Sequence, residues 1–394
     1  MAASEILISA GEISGDLHAA PVVDEIKLLS KEVHLFGPGG DLMREAGVDL
    51  IEHVDQMAVM GFSGVLNTLP RLSRLKKMIL RQIIERKVRL VILVDYPGFH
   101  LNLARAIKKL PDPPRILYYI SPQIWAWRSG RIDLIRQVVD HIAVIFPFEE
   151  EIFRKAGVPV TFVGHPLIDE LSPYLSRLDM SGCFIPSGQP ILALLPGSRK
   201  QEVINNLPAM IETAIKLREQ HPGLQAIIGC ASNLPEGFYT NIFNGMKDKL
   251  AVETVNSIIM ERDSRRLLMK ASAAIVCSGT ATLEAALLGT PQVVVYKTTN
   301  LNYQLIRRLI KIKNIALVNV VAGEDIVPEI LQNDFNCENL IKAVSPLLGE
   351  SAVRKRQIDG YGIIRDRLGE GGASKRVAQI AIDMLEGNNN KGCL

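Results

Sequence analysis

Ser278-Gly279-Thr280 followed by Glu284 puts a glycine turn and one carboxylate at the start of a short helix. The apolar run ASAAIVC before them reads as a strand. Gly289 stops the helix and Pro291 prevents its continuation. Unpaired N–H groups and the positive dipole end at such a helix start suit a diphosphate. Glu284, when ionised, only accepts hydrogen bonds, and a ribose offers two hydroxyl donors. An ordinary strand-to-helix turn capped by Ser278 or Thr280 accounts for the same residues. LLPGSRKQEV, residues 194–203, repeats the arrangement with Gly197, Ser198 and Arg199. Ser198 with Gln201 reads as a capping box. Arg199 is not needed for a cap, and a cation at the positive end of a helix points to a compensating anionic ligand. Two such loops in one half of the chain favour a nucleotide diphosphate.

The first half offers carboxylates. Asp95 ends the run RLVILVD and precedes Tyr96-Pro97-Gly98, which puts it at the C-terminal rim of a strand. Its type and place leave two roles open, a cap for the helix after Pro97 or a general base. AGEISGD, residues 10–16, carries Glu12 and Asp16 around Gly15; the simplest reading is a tight turn with Asp16 opening a helix. It lacks GxGxxG and is not read as a dinucleotide site. Trp125 and Trp127 in SPQIWAWR are either core residues or, with Gln123, the lining of a cleft or acyl channel. The chain has no Asp-x-Asp, and its seven histidines show no HxxxH or HExxH spacing, so neither a metal site nor a cofactor is expected.

The elements that position these residues follow from the apolar pattern. EILISAG, VHLFGPGG, RLVILVD, RILYYIS, HIAVIFPF and VTFVGHP are short Val/Ile/Leu runs separated by amphipathic stretches. Continuous apolar runs without alternation read as parallel strands covered by helices on both faces. The series restarts at ILALLPGSR after a Pro-, Ser- and Gly-rich stretch, placing a link near residues 165–188. The expected fold is α/β, with two Rossmann-like doubly wound domains facing a cleft. The expected domains are 1–170, 171–350 and a helical tail, 351–394, packing back toward the first domain.

Length and composition agree. With 394 residues the chain is comfortable as two domains. Its five cysteines are scattered without a CxxC pair, which fits a reducing compartment and argues against a disulfide frame. MAASEILISAG has no basic n-region and is not expected to be a secretory signal, and no apolar run is long enough to span a bilayer. A net charge of +3 is too small to imply nucleic acid. The distribution says more. Residues 57–84 hold Met60, Phe62, Val65, Leu66, Leu69, Leu72, Leu75 and Ile79 with Arg71, Arg74, Lys76, Lys77 and Arg81, and no acidic residue before Glu85. A second basic group is Arg307, Arg308, Lys311 and Lys313. A core helix with a solvated basic face explains the first group; both together favour an anionic membrane surface, with Phe62, Val65, Leu66, Leu69, Leu72, Arg71 and Arg74 as contacts.

LPGSR, SGTATLEAALLGTPQVVVYK, ALVNVVAGEDIVPEILQ, VDYPGFHLNLA and YYISPQIWAWRSGRIDLIRQVVDHIAVIFPFEEEIFRKAGVPVTFVGHPLID together resemble the lipid-A-disaccharide synthase family, over about residues 5–380. The resemblance implies an inverting, metal-independent glycosyltransferase of the GT-B architecture. Its donor would be UDP-2,3-diacylglucosamine and its acceptor 2,3-diacylglucosamine 1-phosphate (lipid X). The products would be a β(1→6) disaccharide phosphate and UDP. It implies that Arg199, Ser278, Thr280 and Glu284 lie in the UDP site, with Asn319 facing it, that Asp95 is the base, and that Glu12 or Asp16 contacts acceptor hydroxyls. Two departures stand out, His100 where the family commonly has Asn and Glu324 where it often has a basic residue. The implied location is the cytoplasm, peripherally on the cytoplasmic face of the inner membrane. A homodimer is compatible with the sequence, which does not set the oligomeric state.

Overall fold

The computed structural model describes residues 4–57, 64–122, 130–176, 189–246, 258–298 and 314–387, with side chains in the helix at Gly64–Glu85 described from Pro70 onward. The chain divides into two compact units, Met1–Asp169 with Glu370–Leu394, and Glu170–Gly369.

In the first unit the described strands are β1 (Ser4–Ala10), β2 (Val33–Gly39), β3 (Asp49–His53), β4 (Leu90–Val94), β5 (Arg115–Tyr119), β6 (His141–Val144) and β7 (Val160–Phe162). They form one parallel sheet in the order β3-β2-β1-β4-β5-β6-β7. All five residues of β4, LVILV, are fully buried. Each such side chain stabilises the fold by about 1.5–3 kcal/mol, so the central strands are pinned by burial on both faces. One core layer joins Leu75, Ile79 and Ile83 of the helix at Gly64–Glu85 to Val91 and Leu93. The helix at Ala373–Glu386 belongs to this unit. Asp169 anchors its start by accepting from the N–H of Gly372 at 2.6 Å and of Ala373 at 3.1 Å.

The second unit repeats the plan with β8 (Ile191–Leu195), β9 (Gln225–Gly229), β10 (Ile259–Glu261), β11 (Ala273–Cys277), β12 (Gln292–Tyr296) and β13 (Glu329–Leu331). Among the described residues these form one parallel sheet ordered β10-β9-β8-β11-β12-β13. The helix at Ala352–Leu368 belongs here, so the stretch read as one helical tail divides between the units. The stretch read as an interdomain link begins as the helix Pro166–Leu175, because Pro166 starts it and Leu167 and Leu171 are buried. Among the described residues, no helix is long and apolar enough to cross a membrane.

In each sheet the order reverses once, between β1 and β4 and between β8 and β11. The connections leave in opposite directions there, so the loops at the strands' C-terminal ends part and leave a crevice. The loop pairs at those two points are 11–15 with 95–98, and 196–199 with 278–281.

Candidate active site

In the second unit a cavity of about 450 Å³ opens at the β8/β11 switch point. Gly197, Ser198, Arg199, Ser278, Gly279, Thr280 and Glu284 all line it. Gly197 has φ +119°, and a Cβ there would lie 2.6 Å from Glu202 Oε2, so both backbone and space require glycine. The helix Lys200–Gln220 starts one residue later than the sequence suggests. Its cap is made by Glu202, not Gln201. Glu202 Oε2 accepts from the N–H of Ser198 at 3.1 Å and of Arg199 at 3.2 Å, and Oε1 takes Arg199 Nη1 at 2.7 Å. The charge of Arg199 is therefore partnered within the loop, and its side chain is 81% exposed beside the cavity.

The other loop is arranged differently. Among the described residues, no side chain caps the start of the helix Ala281–Leu287. Ser278 donates instead to the carbonyl of Ile315 at 3.1 Å, and Thr282 Oγ1 to that of Gly279 at 2.8 Å. Neither hydroxyl covers the turn, which faces the cavity. At the far end Gly289, φ +78°, donates to Ala286 O and Thr290 to Ala285 O, a Schellman stop. Glu284 is 14% exposed on the cavity wall. Burial pushes its carboxyl up, and the adjacent Arg265 opposes this. Arg265 Nε donates to Glu284 Oε1 at 2.9 Å, while its Nη2 donates to Glu170 Oε2 at 2.6 Å.

Arg265 was not apparent from its type. It is the second residue of the helix Ser264–Lys270, which starts just after the C-terminal end of β10 on the same rim as the two glycine loops, and that position was the available signal. Asn206 was also missed. Fully buried, it donates to Pro196 O at 2.9 Å and Cys277 Sγ at 3.3 Å, tying the two glycine loops together.

Asn319 does not join this group. Its amide donates to Val327 O and Glu329 Oε1, each at 2.9 Å, and accepts from the N–H of Ile326 and Val327, each at 3.0 Å. It is 1% exposed and staples its own helix to the following loop. A buried amide with every hydrogen-bonding position filled has nothing left for a ligand.

In the first unit Asp95 and Glu12 flank the β1/β4 switch point. Gly11 and Gly15 let the loops approach, since a Cβ on Gly11 would meet the Tyr96 ring. Asp95 has φ +50° and Tyr96 φ +49°, two successive non-glycine residues in the left-handed region. Each costs of order 1–3 kcal/mol and persists only where neighbours hold it. The Asp95 N–H donates to Tyr119 O at 3.0 Å. The Asp95 carbonyl accepts from Tyr118 Oη at 2.7 Å and His100 Nδ1 at 2.6 Å. The Asp95 carboxyl is pushed up to about 6, first by burial and then by the charge of Glu12, against the Tyr96 N–H that it accepts. A carboxyl titrating there is ionised at neutral pH yet basic enough to take a proton. Glu12 is exposed.

Asp16 has another role. It is 4% exposed, and its carboxylate accepts from Gly40 N at 2.8 Å, Met43 N at 3.0 Å and Leu42 N at 3.1 Å. From the first turn of the helix Ile13–Leu29 it caps the helix Asp41–Glu45, and burial with three backbone donors accounts for it as a structural carboxylate.

The apolar and basic stretch is largely accounted for by packing. Leu75, Ile79 and Ile83 are core, and Leu72 packs against them. Arg71 pairs with Glu52 at 2.8 Å. Arg74 and Lys77 are exposed. Phe62 and the side chains of Val65, Leu66 and Leu69 lie outside the described residues, as do Gln123, Trp125, Trp127, Arg307, Arg308, Lys311 and Lys313.

Two parallel-sheet units, each with a crevice at its switch point, define an α/β protein of the GT-B type. The solved UDP-GlcNAc 2-epimerase from Neisseria meningitidis bound to UDP-GlcNAc shares the fold at a TM-score of 0.62 and 13% identity, covering 98% of this chain and 100% of that one. The calicheamicin glycosyltransferase does so at 0.55 and 15%, covering 99% and 100%. Sequence similarity then gives the family. Residues 6–381 match the family model described as lipid-A-disaccharide synthetase. The lipid-A-disaccharide synthase of Geobacter sulfurreducens is 39% identical over 381 residues, 96% of this chain and 97% of its own. The chain belongs to the lipid-A-disaccharide synthase family, glycosyltransferases with a role in lipid A biosynthesis.

Proposed function

We propose that this enzyme joins UDP-2,3-diacylglucosamine to 2,3-diacylglucosamine 1-phosphate (lipid X), releasing UDP and forming the β(1→6) disaccharide 1-phosphate. Family membership implies a UDP-sugar donor and a lipid acceptor. The observation that carries the reading is the cavity at the β8/β11 switch point, where an uncapped turn at Ser278–Thr280 and the Glu284 carboxylate line one space. The turn suits a diphosphate and Glu284 a ribose diol. Arg199 lies at the rim, where it can leave Glu202 for a phosphate and stabilise the departing UDP.

Asp95 takes the proton from the acceptor's 6-hydroxyl. The oxygen attacks the donor's anomeric carbon from the face opposite UDP as the carbon–oxygen bond to the diphosphate breaks. One in-line displacement inverts the configuration. No step calls for a metal, because helix N–H groups and Arg199 meet the leaving charge. The acyl chains keep both substrates in a bilayer, so the enzyme works peripherally on the cytoplasmic face of the inner membrane, with Arg74 and Lys77 toward anionic lipid.

The test is turnover in detergent micelles with both lipids and EDTA, following UDP and disaccharide, with Asp95→Asn and Glu284→Ala alongside. Metal-free turnover that Asp95→Asn abolishes, with UDP binding intact, is expected. Full turnover by Asp95→Asn removes Asp95 as base, and UDP binding without turnover on these lipids removes the substrate assignment. Cosedimentation with anionic vesicles checks the membrane face; equal partition to neutral vesicles refutes it.

A further inference from the structure

His100 is fully buried in the first unit and has both ring nitrogens engaged. Nδ1 lies 2.6 Å from the carbonyl oxygen of Asp95, and Nε2 lies 2.8 Å from Ser9 Oγ. A carbonyl oxygen only accepts, so Nδ1 carries a proton. Burial holds the imidazole neutral at ordinary pH, leaving Nε2 bare to accept from the Ser9 hydroxyl. One tautomer is thereby selected. The ring packs edge-on to Tyr96 and Tyr118, with centroids 5.8 and 6.3 Å away.

The target of this arrangement is one strained peptide. Asp95 and Tyr96 both sit at positive φ, and the Asp95 carbonyl receives two donors, His100 Nδ1 and Tyr118 Oη. Asp95 follows β4, Tyr118 on the neighbouring β5 reaches that oxygen directly, and Ser9 on β1 holds the far side of the His100 ring that also reaches it. Helix capping does not need this. The N–H of Phe99 and of His100 already bonds to the carbonyl of Tyr96, and Pro97 supplies no donor.

We propose that His100 is a positioning residue for the Asp95 carboxylate: with Tyr118 it locks the Asp95 carbonyl and so holds the left-handed turn that aims the side chain at the β1/β4 crevice. The inference rests on the reading of Asp95 as the base. It assigns to His100 an effect on the chemical step and none on substrate binding.

The experiment uses the full-length enzyme with both lipid substrates. His100→Leu keeps most of the volume and removes the donor, so the Asp95 carbonyl keeps only Tyr118. kcat is expected to fall about 10- to 100-fold, as for a misplaced reacting group, with both KM values and UDP affinity near wild type. His100→Asn returns an amide N–H near the Nδ1 position and is expected to restore most of kcat. A loss that Asn does not restore would reflect packing alone and would overturn the proposal. Tyr118→Phe removes the second donor without altering volume and decides the matter if His100→Leu does not fold. Wild-type kcat in both His100→Leu and Tyr118→Phe, with Asp95→Asn inactive, overturns the proposal and leaves the base standing. An active Asp95→Asn removes the base and this inference with it.

Discussion

The elevated carboxyl of Asp95 makes the pH profile the most exacting test of the catalytic reading. With Asp95 near 6, kcat/KM should follow its ionised fraction on the acid side, because kcat/KM reports the free enzyme. At pH 7.5 nearly all of it is ionised; at pH 5 only about a tenth is, so kcat/KM should drop about tenfold. A carboxyl at the ordinary 3.8 would still be more than about nine-tenths ionised at pH 5, and the profile would stay nearly flat. The assay is direct quantification of UDP under subsaturating donor and acceptor, with activity restored at neutral pH to exclude acid inactivation. The causes can be separated. Burial comes first and the charge of Glu12 second, so Glu12→Gln should move the acid limb to lower pH without abolishing it. A limb that stays in place would show that Glu12 does not act on Asp95. A flat profile down to pH 5 in wild type would refute a buried base at this position.

Three further outcomes follow from the geometry. Arg265→Ala strips Glu284 of its charged partner and should weaken UDP binding about 10- to 100-fold by calorimetry, the scale of a charged hydrogen bond; unchanged affinity would detach Arg265 from the nucleotide site. Asp16→Ala should lower Tm by several degrees through loss of the cap on the helix Asp41–Glu45 while kcat holds within about twofold; the opposite pattern would make Asp16 catalytic. Asp95→Asn should raise Tm in a pH-dependent way. Between 3.8 and about 6 the unfolded chain releases a proton that the folded chain keeps, so folding stability falls as pH rises through that window and stays lower above it. The Tm gain should therefore be larger at pH 7.5 than at pH 3.5, and an equal gain at both would deny the elevated carboxyl.

The residues that form the cavity were largely legible because chain order alone specifies a βα loop. An apolar run such as ASAAIVC must be a buried strand, its C-terminal turn must lie on one rim of a parallel sheet, and a glycine there opens the backbone to a ligand. Gly197, Ser278, Gly279 and Glu284 follow from that logic, and so does the doubly wound class. Asp95 was legible as a rim carboxylate, and the left-handed turn that presents it was not. That conformation is held by Tyr118 and His100, which sequence distance does not connect to it as partners of one carbonyl oxygen. Asp16 and Asn319 mark the other limit. A carboxylate or amide near a glycine loop reads as a ligand contact until the backbone N–H groups that fill it are known. Those donors come from residues 40–43 in one case and 326–327 in the other, brought near by packing. Likewise, the amphipathic stretch shows that it has an apolar face, but only tertiary contact shows that Leu72, Leu75 and Ile79 spend that face on the core. Periodicity and turn chemistry are local and therefore written in the chain. Which polar group is satisfied, and which remains available for chemistry, depends on partners that only the folded sheet assembles.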